Sequence, residues 1–147
     1  MFGTLTSQKV WGLSSRVHCD ADTIICFADV LPGGYCSAHG HKGRVNWFQV
    51  GSGSLSVQVW DREIEPDGWQ DYDLSKPDTV VHLTPASGAF SVACNKLHRF
   101  YSAEGCKMTE VYTASSPGSA EDGDIVRLSV GGRVDMDKVG SAWNGPT

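Results

Sequence analysis

The chain has 147 residues, of which 40% are hydrophobic and 20% are charged, as is typical of one globular domain. Its net charge is −5 and its basic residues are scattered, which argues against nucleic acid or an anionic membrane surface as a partner. No segment approaches the roughly 20 apolar residues that cross a bilayer, and the first residues lack the apolar stretch of a secretory signal. The five cysteines fit no paired framework, so we expect free thiols and a cytoplasmic location.

The segments between the glycines are short, rich in β-forming residues and without a helical period, which predicts an all-β sandwich or barrel. In chain order the predicted strands are residues 22–31, 46–50, 54–60, 79–83, 89–93 and 107–113. The acidic segment 61–78 is predicted to be an exposed connection, and residues 124–130 are a candidate for one more strand. We expect the residues from about Gly140 onward to be loosely held.

The N-terminal segment 2–17 is not needed by a barrel built from residues 20–113. We expect it to form a strand that covers a sheet edge of its own chain or of a partner, because an open edge invites aggregation. Residues 114–147 then form a C-terminal extension of a single domain. A homodimer is also predicted.

The most informative segment is residues 33–53, GGYCSAHGHKGRVNWFQVGSG. His39 and His41 are two residues apart, a spacing that directs both imidazoles to the same face of a strand. Two imidazoles that meet at one point are typical of a site for Fe, Mn, Ni, Cu or Zn. His39 follows Gly33 after five residues, Asn46 follows His41 after four, and Gly53 follows Asn46 after six.

These spacings resemble the first motif of the cupin superfamily, with Asn46 in place of the usual metal-binding glutamate. The second cupin motif is less well matched, and its histidine corresponds to His98 in FSVACNKLHRFYS. The resemblance implies a cupin double-stranded β-helix, an antiparallel jelly-roll barrel. It also implies one divalent metal ion (Fe, Mn, Ni or Zn) bound by His39, His41 and His98. Asn46 is expected to be a hydrogen-bonding neighbour of the ligands, since a neutral amide is a poorer ligand than a carboxylate.

Three functions are compatible with this resemblance. The segment HRFYSAEGCKMTEVY is similar to sugar-isomerising cupins, in which a strand after the second motif carries a glutamate. Glu110 occupies that strand and is the candidate catalytic base. It shares a face with Met108 and Tyr112, but the pattern does not say whether that face lies inside the barrel.

The partner is then a small-molecule substrate, a sugar or sugar phosphate, with Arg99, Tyr112 and Trp47 as candidate binding residues. A three-histidine dioxygenase is the second alternative, because those cupins also lack the glutamate. The third is a metal- or carbohydrate-binding cupin module that is not an enzyme, which the poorly matched second motif favours. Loss of the glutamate leaves the site one unit more positive, which favours an anionic substrate or hydroxide.

Overall fold

The structure is a computed structural model that describes residues 5–63, 72–120 and 124–147. Strands dominate these ranges, and the residues between them form short turns and connections. The elements are β1 (Leu5–Lys9), β2 (Gly12–Cys19), β3 (Thr23–Val30), β4 (Gly34–Tyr35), β5 (His39–His41), β6 (Arg44–Gly53), β7 (Leu55–Glu63), β8 (Thr79–Leu83), β9 (Phe90–Val92), β10 (Lys96–Ser102), β11 (Cys106–Ala114), β12 (Ile125–Arg127), β13 (Gly132–Arg133) and the helix α1 (Met136–Val139).

The strands form two antiparallel sheets. The first sheet has the order β1-β2-β3-β11-β6-β9. In the second sheet β10 is central: it pairs with β7 on one side and with β5 and then β4 on the other. Strand β8 extends this sheet beyond β7, while β12 and β13 extend it beyond β5 and β4. The predicted all-β barrel architecture is confirmed.

The interior between the sheets has an apolar half and a polar half. On β11 the inward residues run from Cys106 and Met108 to Glu110, and on β6 they run from Val50 and Phe48 to Asn46. Trp11 and Phe100 pack edge to face, with ring centroids 5.1 Å apart, in the apolar half. Because each strand changes from apolar to polar inward residues at the same level, the polar side chains collect at one end of the barrel.

The N-terminal segment forms a hairpin rather than the single edge strand predicted for residues 2–17, of which residues 2–4 lie outside the described residues. Strand β2 pairs with β3 of its own chain, and β1 pairs with β2. Gly12 follows the turn with a φ of 151°, and a Cβ there would lie 2.0 Å from the Asp29 carbonyl oxygen. Only glycine therefore fits this approach of β2 to β3. The homodimer stays a prediction.

The last residues of the chain are packed against the outer face of the second sheet, so the expectation that they are loosely held is wrong. Trp143 contacts Tyr101 edge to face at 5.2 Å, and Arg99 donates a hydrogen bond to the Pro146 carbonyl. Gly145 is buried, has a φ of 109°, and leaves only 2.8 Å between an added Cβ and Tyr101 Cε1. Outward-facing aromatic and guanidinium groups on β10 thus hold a segment whose small, polar composition indicated mobility.

Two further predictions concern the connections and the cysteines. The predicted exposed connection 61–78 begins within β7, which continues to Glu63, and residues 64–71 lie outside the described residues. The five cysteines are all free thiols, as expected. Within the described ranges, the short helix α1 is far from the length and hydropathy that a membrane span requires.

Candidate metal centre

Three histidines converge in the polar half of the barrel because two neighbouring strands carry them in register. His39 and His41 lie at alternate positions of β5, so both rings face the interior. His98 lies on β10 directly opposite His39, and cross-strand partners face the same side of a sheet. The three side chains are buried, and their ring centroids are 4.6 to 5.7 Å apart. Their candidate ligand atoms all lie within 4.8 Å of one another.

The Nδ1 atom of each ring faces a hydrogen-bond acceptor. His39 Nδ1 lies 2.7 Å from the Ser37 carbonyl oxygen, and His98 Nδ1 lies 3.0 Å from that of Lys96. His41 Nδ1 lies 3.3 Å from Asp124 Oδ1. These acceptors assign the proton to Nδ1 and leave the Nε2 lone pair as the available ligand atom, an arrangement typical of metal-binding histidines.

Burial keeps two of the imidazoles neutral. Burial, and then the neighbouring His98 and His41, lower the pKa of His39 well below its usual value. Burial is also the largest effect on His98 and lowers its pKa to about 3. Neutral imidazole is the form that binds a metal, so protons compete weakly for these two ligands at neutral pH.

Asp124 supports the site from the C-terminal extension. Burial alone would raise its pKa, but the hydrogen bonds with His41 and Gly43, together with Arg44, outweigh burial and lower the pKa. Its Oδ1 also accepts a hydrogen bond of 2.8 Å from Arg44 Nε. The carboxylate therefore orients His41 through Nδ1 while Arg44 fixes the carboxylate.

The residues present fit a divalent metal ion. His41 Nε2 is buried without a hydrogen-bond partner, which is costly for a polar atom unless something else satisfies it. Three imidazoles that present Nε2 to one point are a donor set for Fe, Mn, Ni, Cu or Zn. His39, His41 and His98 would hold the ion, and the adjoining cavity leaves room for further ligands.

A polar network adjoins the three histidines. Asn46 is fully buried, and its Nδ2 lies 3.0 Å from Glu110 Oε1 and 3.3 Å from His98 Nε2. Tyr112 hydrogen-bonds to Glu110, and burial followed by this carboxylate raises the pKa of Tyr112 well above its usual value, which keeps the phenol protonated. The Arg44 guanidinium lies 4.4 Å from the centre of the Tyr112 ring. The Asn46 amide thus lies between the Glu110 carboxylate and Nε2 of His98, the nitrogen that would bind a metal.

A cavity of about 700 Å³ connects this network to the exterior. His39, His41, Glu110 and Tyr112 line its inner part, which is buried or half-buried. The hairpin β1–β2 and the segment that runs from β12 to Gly131 line its outer part. A volume of this size accommodates a small organic molecule.

Not every candidate residue is brought to this cavity. Glu110 and Tyr112 face it, whereas Arg99 follows His98 on β10 and therefore points to the opposite side. Arg99 is buried beneath the C-terminal residues and donates to Gln58 Oε1 at 2.8 Å. Trp47 lies on the outer face of β6, 39% exposed, with its Nε1 bonded to Thr113. Neither Arg99 nor Trp47 is placed to contact a ligand in the cavity.

Sequence reasoning did not find Arg44, Asp124 or Arg127. Arg44 stands two residues before Asn46 on β6, so the same alternation that turns Asn46 inward predicts an inward Arg44. Asp124 and Arg127 belong to the C-terminal extension, whose pairing with β5 no local pattern indicates.

Solved structures with a similar fold include oxalate decarboxylase from Bacillus subtilis, at a TM-score of 0.62 and 15% identity over 85% of this chain. The chain spans only 30% of the length of that protein. Another is a protein from Klebsiella pneumoniae described by its double-stranded β-helix domain, with a TM-score of 0.57 and 17% identity over 80% of each chain. No family model matches the sequence, and no curated protein is significantly similar to it.

The sheet pairing, the histidine cluster and these neighbours agree on one architecture. The described strands form an antiparallel jelly roll, with the histidines of both motifs facing each other inside it. The chain therefore has the cupin fold, a double-stranded β-helix, with a possible three-histidine metal site at the polar end of its barrel.

Proposed function

We propose that the chain is a metal-dependent isomerase or epimerase that acts on a sugar or a sugar phosphate. The observation that carries this proposal is the position of Glu110, whose carboxylate faces the cavity next to the histidine cluster. A carboxylate base beside a metal site is an arrangement that supports proton transfer between adjacent carbons.

The chain's own residues supply the proton transfer. Glu110 takes the proton from the carbon beside the carbonyl and returns it to the carbonyl carbon, while the hydroxyl proton moves to the carbonyl oxygen, so no oxidant or reductant is needed. In an epimerisation a solvent proton would instead be delivered to the opposite face of the same carbon. Asn46 and Tyr112 both donate to the carboxylate and hold its orientation. His39, His41 and His98 would hold a divalent ion, which would supply Lewis acidity for a substrate carbonyl.

Manganese is the first ion to test, because the similar oxalate decarboxylase from Bacillus subtilis is described as having Mn(II) centres. The three-nitrogen donor set is equally compatible with Fe, Ni and Zn. The protein should be purified without added metal, analysed for its metal content, and then loaded with each of these ions. Each loaded form should next be incubated with aldoses, ketoses and their phosphates in D₂O, where proton NMR reports deuterium at the exchanged carbon.

Glu110→Gln tests the base directly, because it keeps size and hydrogen bonding but removes basicity. We expect turnover to fall by about 100-fold or more, the usual contribution of general base catalysis, with metal content unchanged. The matched control is Glu104→Gln, which removes an exposed carboxylate outside the cavity and should retain full turnover. Equal activity of the two variants would contradict the proposal.

The absence of the motif-one glutamate favours a second candidate, a three-histidine dioxygenase. That enzyme would consume oxygen in the iron-loaded form and would tolerate Glu110→Gln better than an isomerase does. Substrate binding without turnover in any loaded form would instead indicate a binding module. The same preparations therefore separate the three functions by deuterium exchange, oxygen uptake and binding.

A further inference from the structure

The outer part of the cavity is formed by exposed residues from two separate parts of the chain, here called the rim. From the N-terminal hairpin come Leu5, Lys9 and Val10, and from the C-terminal extension come Arg127 and Val130. The rim thus faces solvent, while the histidines and Glu110 lie deeper. Arg127 and Lys9 thus line the same cavity as His39 and His41.

Arg127 is the rim residue most directly connected to the histidine cluster. It lies opposite His39 in the β12–β5 pair, so both side chains face the same side of the sheet. Arg127 and His39 also line the same cavity. A bound molecule that contacts His39 or its metal is therefore within the field of this guanidinium.

The described residues that line the cavity carry more positive than negative charge, although the whole chain has a net charge of −5. Among the described residues that line it, the cationic ones are Lys9, Arg16, Arg44 and Arg127, and the carboxylate is Glu110. The charge of Arg44 is balanced by Asp124, at 2.8 Å. Lys9 and Arg127 alone still outnumber the carboxylate, and a bound divalent ion would add to the excess. Such a cavity attracts anions and offers a neutral sugar no comparable gain.

We propose that the natural substrate is a small organic anion whose phosphate or carboxylate group binds at the rim to Arg127, assisted by Lys9. The rest of the molecule then extends inward, with its reacting carbons between the histidine cluster and Glu110. The chemistry at the inner end of the cavity rests on the proposed function. The charge of the ligand is inferred from the rim residues alone. A guanidinium pairs well with both oxyanions because its donors match two oxygens at once.

The test compares three probes that share a pentose carbon chain and differ in charge: D-ribose, D-ribose 5-phosphate and D-ribonate. Calorimetric titration of the manganese-loaded protein should show at least about 10-fold tighter binding of either anion than of ribose, as charge-assisted hydrogen bonds provide. The ranking of the phosphate and the carboxylate then identifies the anionic group. Binding of the anions should weaken as salt is raised, because salt screens exposed charges.

Arg127→Gln should remove most of this preference, about 10-fold or more in affinity, without changing the metal content. The matched control is Lys107→Gln, which removes one positive charge from the outer face of β11 and should leave anion binding unchanged. Inorganic phosphate should still bind the metal-free protein and should lose this binding in Arg127→Gln. Equal or absent binding of ribose and ribose 5-phosphate, or equal behaviour of the two variants, would overturn the inference.

The two proposals fail in different ways. Isomerisation that depends on Glu110 but not on Arg127 or on the charge of the substrate would refute the anion inference and support the proposed function. Anion binding that depends on Arg127, in a protein that never exchanges a carbon-bound proton, would support the anion inference and refute the proposed function.

Discussion

Two of the site histidines should make the metal-free protein sensitive to mild acid, and the size of the effect follows from their burial. The pKa of His98 is lowered to about 3 and that of His39 is also well below 6.5, whereas an unfolded histidine titrates near 6.5. As pH falls below 6.5, the unfolded chain takes up protons that the folded chain does not. The free energy of unfolding is therefore highest above pH 6.5 and decreases as pH falls toward the folded pKa values.

At pH 5 His98 should reduce the free energy of unfolding by about 2 kcal/mol relative to pH 7.5, and His39 should add to this loss in the same direction. That is a large part of the roughly 5–15 kcal/mol typical of a domain. Carboxylates contribute little to this window, because those with lowered pKa values, such as Asp124, lose their stabilising effect only below about 3.8. Denaturant unfolding of chelator-treated protein at several pH values between 5 and 7.5 measures the slope.

His98→Gln should reduce the pH slope, since it removes one of the two groups. The matched control is Leu97→Val, which weakens packing at the adjacent position of β10 without changing any ionisable group. It should lower stability at every pH and keep the slope. A slope that is absent from the unmodified protein, or that His98→Gln leaves intact, would refute the assignment of neutral buried imidazoles.

Two other substitutions test the C-terminal packing and the role of the motif-one amide. Gly145→Ala should destabilise the protein by about 1–3 kcal/mol, because the positive φ of Gly145 disfavours a side chain and the new Cβ would meet Tyr101. An unchanged melting temperature in thermal unfolding would contradict the packing of this C-terminal segment. Asn46→Asp should tighten Mn binding by about 10-fold or more, since a carboxylate is a better ligand for this ion than an amide. Weaker binding in calorimetry would contradict this expectation and indicate that repulsion between the new carboxylate and Glu110 dominates.

Local patterns were sufficient to predict the β-barrel and the shared face of His39 and His41, whereas the resemblance to the second cupin motif implied His98 as the third ligand. Alternation along the chain identifies strands, and the spacing of His39 and His41 places both on one face of β5. The same alternation argues against Arg99: if His98 faces the interior, the next residue on the strand faces outward. The sequence-based choice of Arg99 as a binding residue conflicted with that rule.

The inward position of Glu110 could not be predicted from alternation. Alternation predicts that Met108, Glu110 and Tyr112 share a face, but which face lies inside the barrel depends on the register of β11 against β3 and β6. The positions of Asp124 and Arg127 near the histidines could not be predicted from the sequence for another reason. They meet the histidines only because β12 pairs with β5, which lies far from it along the chain.

The pairing of β12 with β5 also affects when His41 becomes oriented during folding. Strand β5 has only three residues, and it is held between β10 on one side and β12 on the other. Both contacts join distant parts of the chain, and closing such long loops is slow. A nascent chain that has left the ribosome only as far as β11 contains β5 and β10 but lacks Asp124, so His41 has no carboxylate to orient its ring. Full orientation of the three imidazoles therefore requires the C-terminal extension, which is synthesised after both strands that carry the histidines.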